Sequence, residues 1–147
     1  VGLITANIEA LGSTGGGTVR IGGGYQGQAA IPNAQRTFIS SDSTINASAL
    51  SQGDGGRVIV WADETTRFYG SISVRGGKQA GDGGFVETSG KSSLDVVGGF
   101  VDASATQGHS GVWLLDPRNV RIQNTATTGG SLDEGIFTPT ADDAIVS

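Results

Sequence analysis

A parallel β-helix with three short strands per coil is the fold this sequence predicts, and three observations carry the prediction. A glycine turn running straight into a strand occurs four times, as Gly15-Gly16-Gly17-Thr18, Gly53-Asp54-Gly55-Gly56, Gly81-Asp82-Gly83-Gly84 and Gly108-His109-Ser110-Gly111. The last three copies start 28 and 27 residues apart. A repeat of that length is one supersecondary unit that buries its apolar face against its neighbours. Between the turns, apolar and polar residues alternate with period two, and no segment of 12 residues keeps a helical period.

Overlaying the copies gives the elements of each coil. The first strand is Thr18–Ile21, then 57–61, 85–89 and Val112–Leu115, with inward pairs Val19/Ile21, Val58/Val60, Val86/Thr88 and Trp113/Leu115. The second is 37–40, 67–69 and 93–97. The third is 8–10, 44–48, 71–75 and 100–104, with inward pairs Ile8/Ala10, Ile45/Ala47, Ile72/Val74 and Val101/Ala103. Outward partners such as Arg20, Glu87, Asn46, Ser73 and Asp102 are polar, whereas Ile59 and Leu114 break the outward column. Equivalent strands should stack about 4.8 Å apart, so that four to six coils make a rod of roughly 20–30 Å. Residues 1–122 are expected to form the coils. Residues 22–35 interrupt one of them as a loop thrown out from the rod, and 119–122 read as one more strand. Residues 123–147 read as a loop, a linker or the start of a further module.

Bulk composition narrows the classes. Only 36% of the 147 residues are hydrophobic, which suits the thin core of stacked coils. Net charge is −5, with 16% of residues charged, which argues against nucleic acid or an anionic membrane as the main partner. There is no cysteine, hence no disulfide framework and no thiolate metal site. No run of 18 apolar residues is present to span a bilayer as a helix. Val1 begins in mid-pattern, which reads as a processed fragment or an excised region.

Three segments together resemble filamentous-haemagglutinin-like exoproteins, the large adhesins of Gram-negative two-partner secretion systems. They are Gly-Gly-Arg-Val-Ile-Val-Trp-Ala-Asp at 55–63, Gly-Asp-Gly-Gly-Phe-Val-Glu-Thr-Ser-Gly at 81–90 and Trp-Leu-Leu-Asp-Pro at 113–117. The inserted Gly-Gly-Gly-Tyr-Gln-Gly at 22–27, with Pro-Asn-Ala at 32–34, is similar to the cyanobacterial branch. The resemblance covers about residues 10–122. It implies a right-handed β-helical shaft, export through an outer-membrane β-barrel transporter, and a secreted or cell-surface location. It also implies adhesion to host, neighbouring-cell or matrix surfaces. The amino-terminal secretion domain that the family uses to engage its transporter does not appear in these residues.

The sequence offers one constellation that invites chemistry. Asp54, Asp82 and His109 hold equivalent turn positions in successive coils, and Gly15 ends the column upstream. Carboxylates about 5 Å apart are able to share Ca²⁺ or act as the pair of a retaining glycosidase. Ordinary Asp-Gly turn chemistry is the competing reading. It is favoured because the Gly/Asp nonapeptide array of calcium-binding solenoids is missing. Their side chains are expected to splay into water. Asn46-Ala47-Ser48 is a glycan acceptor triplet on an outward strand position. Tyr25, Pro32 and Asn33 mark the insert as an exposed contact loop, whereas Trp61 and Trp113 are expected to pack, Trp61 at a corner by Phe68 or Tyr69.

These readings converge on a structural shaft segment of a secreted adhesin or extracellular fibre, without catalysis and with no cofactor. The alternatives are a carbohydrate-binding or carbohydrate-cleaving β-helix using the acidic column, and a filament subunit that self-associates through open strand edges.

Overall fold

The computed structural model describes residues 1–116, together with two strands at Gly130–Asp133 and Ile136–Pro139 that pair antiparallel. The chain is a parallel β-solenoid with three strands per coil. In chain order the strands are β1 (Gly2–Leu3), β2 (Asn7–Glu9), β3 (Thr18–Ile21), β4 (Arg36–Ile39), β5 (Thr44–Asn46) and β6 (Arg57–Ala62). They continue with β7 (Thr65–Phe68), β8 (Ser71–Ser73), β9 (Phe85–Gly90), β10 (Ser93–Asp95), β11 (Phe100–Asp102) and β12 (Val112–Leu115). Three four-stranded sheets result, β3-β6-β9-β12, β1-β4-β7-β10 and β2-β5-β8-β11. Every pairing within them is parallel. The strand predicted at 119–122 lies outside the described residues.

Register follows the repeat. Val19, Val58, Val86 and Trp113 lie side by side, as do Ile8, Ile45, Ile72 and Val101. The predicted inward residues of the first and third strands supply the core: Ile21, Ile45, Ala47, Val58, Val60, Ile72, Val74 and Val86 are buried, joined by Ile39 and Phe68 from the middle strands. Side chains stack on their own kind, so the core stays apolar along the axis although it is narrow in section. Trp113 packs edge-on against Phe68 at 6.3 Å, inside the coil as its sequence position implied.

Buried hydroxyls close the corner between the first and second sheets. Thr37 Oγ1 donates to the Trp61 carbonyl and Thr66 Oγ1 to the Ser89 carbonyl, each at 2.7 Å and each one coil further on. These bonds give each buried hydroxyl an acceptor at the end of the next coil's first strand, where an unpaired buried polar group is costly.

Strands end sooner than alternation alone suggested. The third strands stop at Asn46, Ser73 and Asp102, and β10 stops at Asp95. At three of these ends the side chain turns back on the main chain: Asn46 Oδ1 accepts from Ser48 N–H, Asp95 Oδ1 from Val97 N–H and Asp102 Oδ1 from Ser104 N–H. Such Asx turns bend the backbone out of the extended ladder. The middle strands begin earlier than predicted, at Arg36 and Thr65, because Thr37 and Thr66 face inward to make the corner bonds just described.

Glycine at the coil corner is required by proximity. A Cβ on Gly55 would overlap the Val74 carbonyl oxygen, and one on Gly83 the Ala103 carbonyl oxygen. Gly2, by contrast, has open space around it. Replacing Gly55 or Gly83 by Ala should therefore destabilise the rod by more than about 2 kcal/mol, in the range of disruptive core changes. Gly2→Ala should change stability by less than about 0.5 kcal/mol. Urea unfolding followed by circular dichroism reads both.

Candidate functional site

Two places carry the chemistry-bearing residues: the turn column at one corner, and the outer face of the sheet β3-β6-β9-β12 beneath the insert.

Asp54, Asp82 and His109 do stack. Extending the strand register backwards by three residues places them in one column with Gly15. All three side chains are exposed to water, as expected, but the two carboxylates are not free. Asp54 Oδ1 accepts the Asp82 backbone N–H at 2.8 Å, and Asp82 Oδ1 accepts the His109 backbone N–H at 2.8 Å. The main chain runs alongside, Gly55 N–H to Asp82 O and Gly83 N–H to His109 O. Each carboxylate thus acts as the acceptor for the next coil at a corner where the strand ladder has not yet begun. A charged acceptor makes a stronger bond than a neutral one, and that outweighs mild repulsion between solvent-exposed charges. The His109 N–H holds the Asp82 carboxyl below its ordinary range. The His109 ring is 95% exposed, with Nδ1 3.4 Å from Asp82 Oδ1. Among the described residues, no group of three or more His, Cys, Asp or Glu side chains is placed to hold a metal ion.

The insert is not thrown out from the rod. Residues 22–35 fold back over the outer face of β6 and β9, and three contacts fix them there. The 3-10 turn Tyr25–Gly27 sets the Gln26 N–H 3.2 Å from both carboxylate oxygens of Glu87. Asn33 Nδ2 donates to the Gly27 carbonyl and to Asp63 Oδ1, both at 3.0 Å. Tyr25 meets Phe85 edge-on at 5.9 Å, and the Arg57 guanidinium lies 4.7 Å from the Tyr25 ring and 4.6 Å from that of Phe85. Cation–π contacts of this kind contribute about 0.5–1 kcal/mol at exposed sites. Gln26 adopts left-handed φ of 51°, a conformation that costs on the order of 1 kcal/mol in a residue with a Cβ.

This placement explains the outward apolar residue. Ile59 and Glu87 are neighbours in one outward column, and both are buried beneath the insert's side of the sheet. Trp61, two residues on, is also buried; its indole lies under Gly23 and Gly27 and donates to Asp63. It therefore packs under the insert rather than at the expected corner with Phe68 or Tyr69, because strand alternation from Val60 points it outward.

The contact-loop residues divide. Tyr25 is 41% exposed and Pro32 is exposed, but Asn33 is a fastener of the loop and not an outward contact. Asn46 is half-buried mid-sheet between Glu9 and Ser73, and the Ser48 hydroxyl of its triplet is buried against Ser73. Glu87, Asp63, Arg57 and Phe85 are the site residues that sequence reasoning passed over. Their signal was the pair Ile59 and Trp61, apolar in a column that ought to face water. No protein-family model matches the chain, and no curated protein is significantly similar to it.

The column makes a pH prediction with a definite sign. A folded-state pKa held down for Asp82 means that its contribution to stability is present above the ordinary carboxylate range and is lost as pH falls through its lowered value. Asp82→Asn keeps an acceptor for the His109 N–H, whereas Asp82→Ala removes it. The Ala variant should unfold at lower urea concentration than the Asn variant. Both should lose part of the wild-type acid dependence below about pH 4, followed by circular dichroism.

Proposed function

We propose that this chain is a structural shaft segment of a secreted, cell-surface adhesin or extracellular fibre, acting without catalysis. The observation that carries the reading is the unbroken coil-on-coil register of the three sheets through the described residues. A quasi-one-dimensional stack extends a surface away from an anchor with only nearest-neighbour contacts. The outward positions support the same role, being mostly Ser, Thr, Asn and isolated charges. The carboxylates best placed for hydrolysis are engaged as backbone acceptors. The resemblance to filamentous-haemagglutinin-like exoproteins supplies the finer parts of the proposal. These are export through an outer-membrane β-barrel transporter and attachment to host, neighbouring-cell or matrix surfaces. Tyr25, exposed and braced by Arg57 and Phe85, is the contact residue of this reading.

Beads coated with the purified chain should adhere to cells or matrix, and Tyr25→Ala should weaken that adhesion by several-fold while leaving the β-rich circular dichroism unchanged. Polysaccharide turnover by the wild type that disappears in the Asp54→Asn, Asp82→Asn double variant would overturn the shaft reading in favour of an enzyme. Beads that adhere no better than uncoated ones would overturn the adhesive part.

A further inference from the structure

The insert has one feature that a passive covering loop does not need. Its 14 residues, 22–35, contain no Asp, Glu, Lys, Arg or His, so Tyr25 is its only ionisable side chain. It nevertheless closes over Glu87, whose side chain has no exposed surface. The donors available to that carboxylate are neutral. The Gln26 N–H is shared between its two oxygens at 3.2 Å each, a long and divided bond, and the Ser89 hydroxyl reaches Oε1 at 2.9 Å. Among the described residues Glu87 takes part in no ion pair.

The charged groups around it do not alter this balance. Arg57 on β6 favours the ionised form, but its guanidinium is committed to the Tyr25 and Phe85 rings. Asp116, just beyond β12, disfavours it. Arg20 on β3 is separated from Glu87 in the column by Ile59. Asp63, the other acid under the insert, already accepts from Asn33 and Trp61. A carboxylate removed from water with two neutral donors loses more hydration than those donors return. Protonation removes that penalty and leaves an acceptor for the Gln26 N–H.

We propose that the insert is a proton-responsive flap, closed over a neutral Glu87 in acid and loosened when Glu87 ionises toward neutral pH. The sign follows from the environment. Burial raises the Glu87 carboxyl above its ordinary value, so the closed flap is most stable below the carboxylate range and loses stability as pH rises through the raised value. Opening is local because the flap is held by few bonds, whereas the sheet beneath it is held by the full ladder. It uncovers Ile59 and Trp61 beside Phe85, turning a polar outer face into one with an apolar strip.

The test is amide hydrogen exchange of residues 22–35 in the full chain between about pH 4 and about pH 8, expressed as protection factors to remove the intrinsic pH dependence. Protection of the Gln26 amide should fall several-fold across that range in the wild type. In Glu87→Gln, a neutral isostere, it should stay high and level. Asp63→Asn should keep the wild-type transition, which distinguishes Glu87 from the second acid under the flap. Acrylamide quenching of Trp61 in a Trp113→Phe background reads the same opening without altering Glu87, and should increase with pH. Level protection and level quenching across the range overturn the proposal. So does a Glu87→Gln chain with wild-type pH dependence, or an Asp63→Asn chain that has lost it.

Discussion

Coils stacked about 4.8 Å apart along a parallel ladder are the constraint on which every other feature depends. At that spacing each residue lies above its own equivalent in the next coil, so each column repeats one chemistry. For an apolar column the repetition is an advantage, as with Val58 and Val86 or Ile45 and Ile72. For a glycine column it is a necessity, because the carbonyls of Val74 and Ala103 occupy the space a Cβ would need. For an acidic column it brings like charges together. The chain resolves that conflict at Asp54 and Asp82 by giving each carboxylate a backbone N–H from the following coil. An arrangement that resembles a binding site in one dimension is, in three, part of the ladder.

The features that repeat were legible in the sequence. Alternation fixed which residues of β3, β5, β6, β8 and β9 face inward, since a side-chain period of two leaves no freedom once one face is buried. The glycine turns set the register, including the alignment of Asp54, Asp82 and His109. The features that occur once were not legible. Whether residues 22–35 project from the rod or lie on it depends on long-range contacts: Gln26 with Glu87, Asn33 with Asp63, and Gly23 and Gly27 with Trp61. No local pattern encodes such pairings. The misfit of Ile59 in an outward column was the trace they left, and it was visible as an exception without an explanation. Strand ends were misplaced for a related reason. Asn46, Asp95 and Asp102 fit an alternating polar position, yet their side chains divert the main chain two residues on.

Hydrogen bonding and burial shift four carboxylates of this molecule in opposite directions. Asp42 and Asp82 are exposed and Asp102 is half-buried; all three accept bonds from hydroxyls or N–H groups, and each is held below its ordinary range. Ser40 and Thr5 act on Asp42, His109 on Asp82 and Ser104 on Asp102. Glu87 also accepts such bonds, from Ser89 and Gln26, yet burial overrides them and pushes it the other way. Hydrogen bonds win where water remains to share the charge, and desolvation wins where the insert has expelled it. The rod and the loop upon it are therefore coupled to protons with opposite signs. Acid weakens the turns that hold successive coils together, while ionisation toward neutral pH weakens the cover on the outer face.

That opposition separates the two responses in pH as well as in space. The Asp82 carboxyl is held down and the Glu87 carboxyl is pushed up, so the acid-sensitive turn bond at Asp82 and the flap respond to pH changes of opposite direction. On a rigid stack of coils, one element of lower local stability opens without disturbing the length of the rod. Here the element is short, free of charged residues, and placed where Arg57 already joins two aromatic rings across the boundary between loop and sheet. Loosening the insert breaks the Tyr25 side of that stack and leaves the Phe85 side in place. The surface it uncovers, Ile59 with Trp61, is thus flanked by an aromatic ring and a cation that remain fixed to the strands.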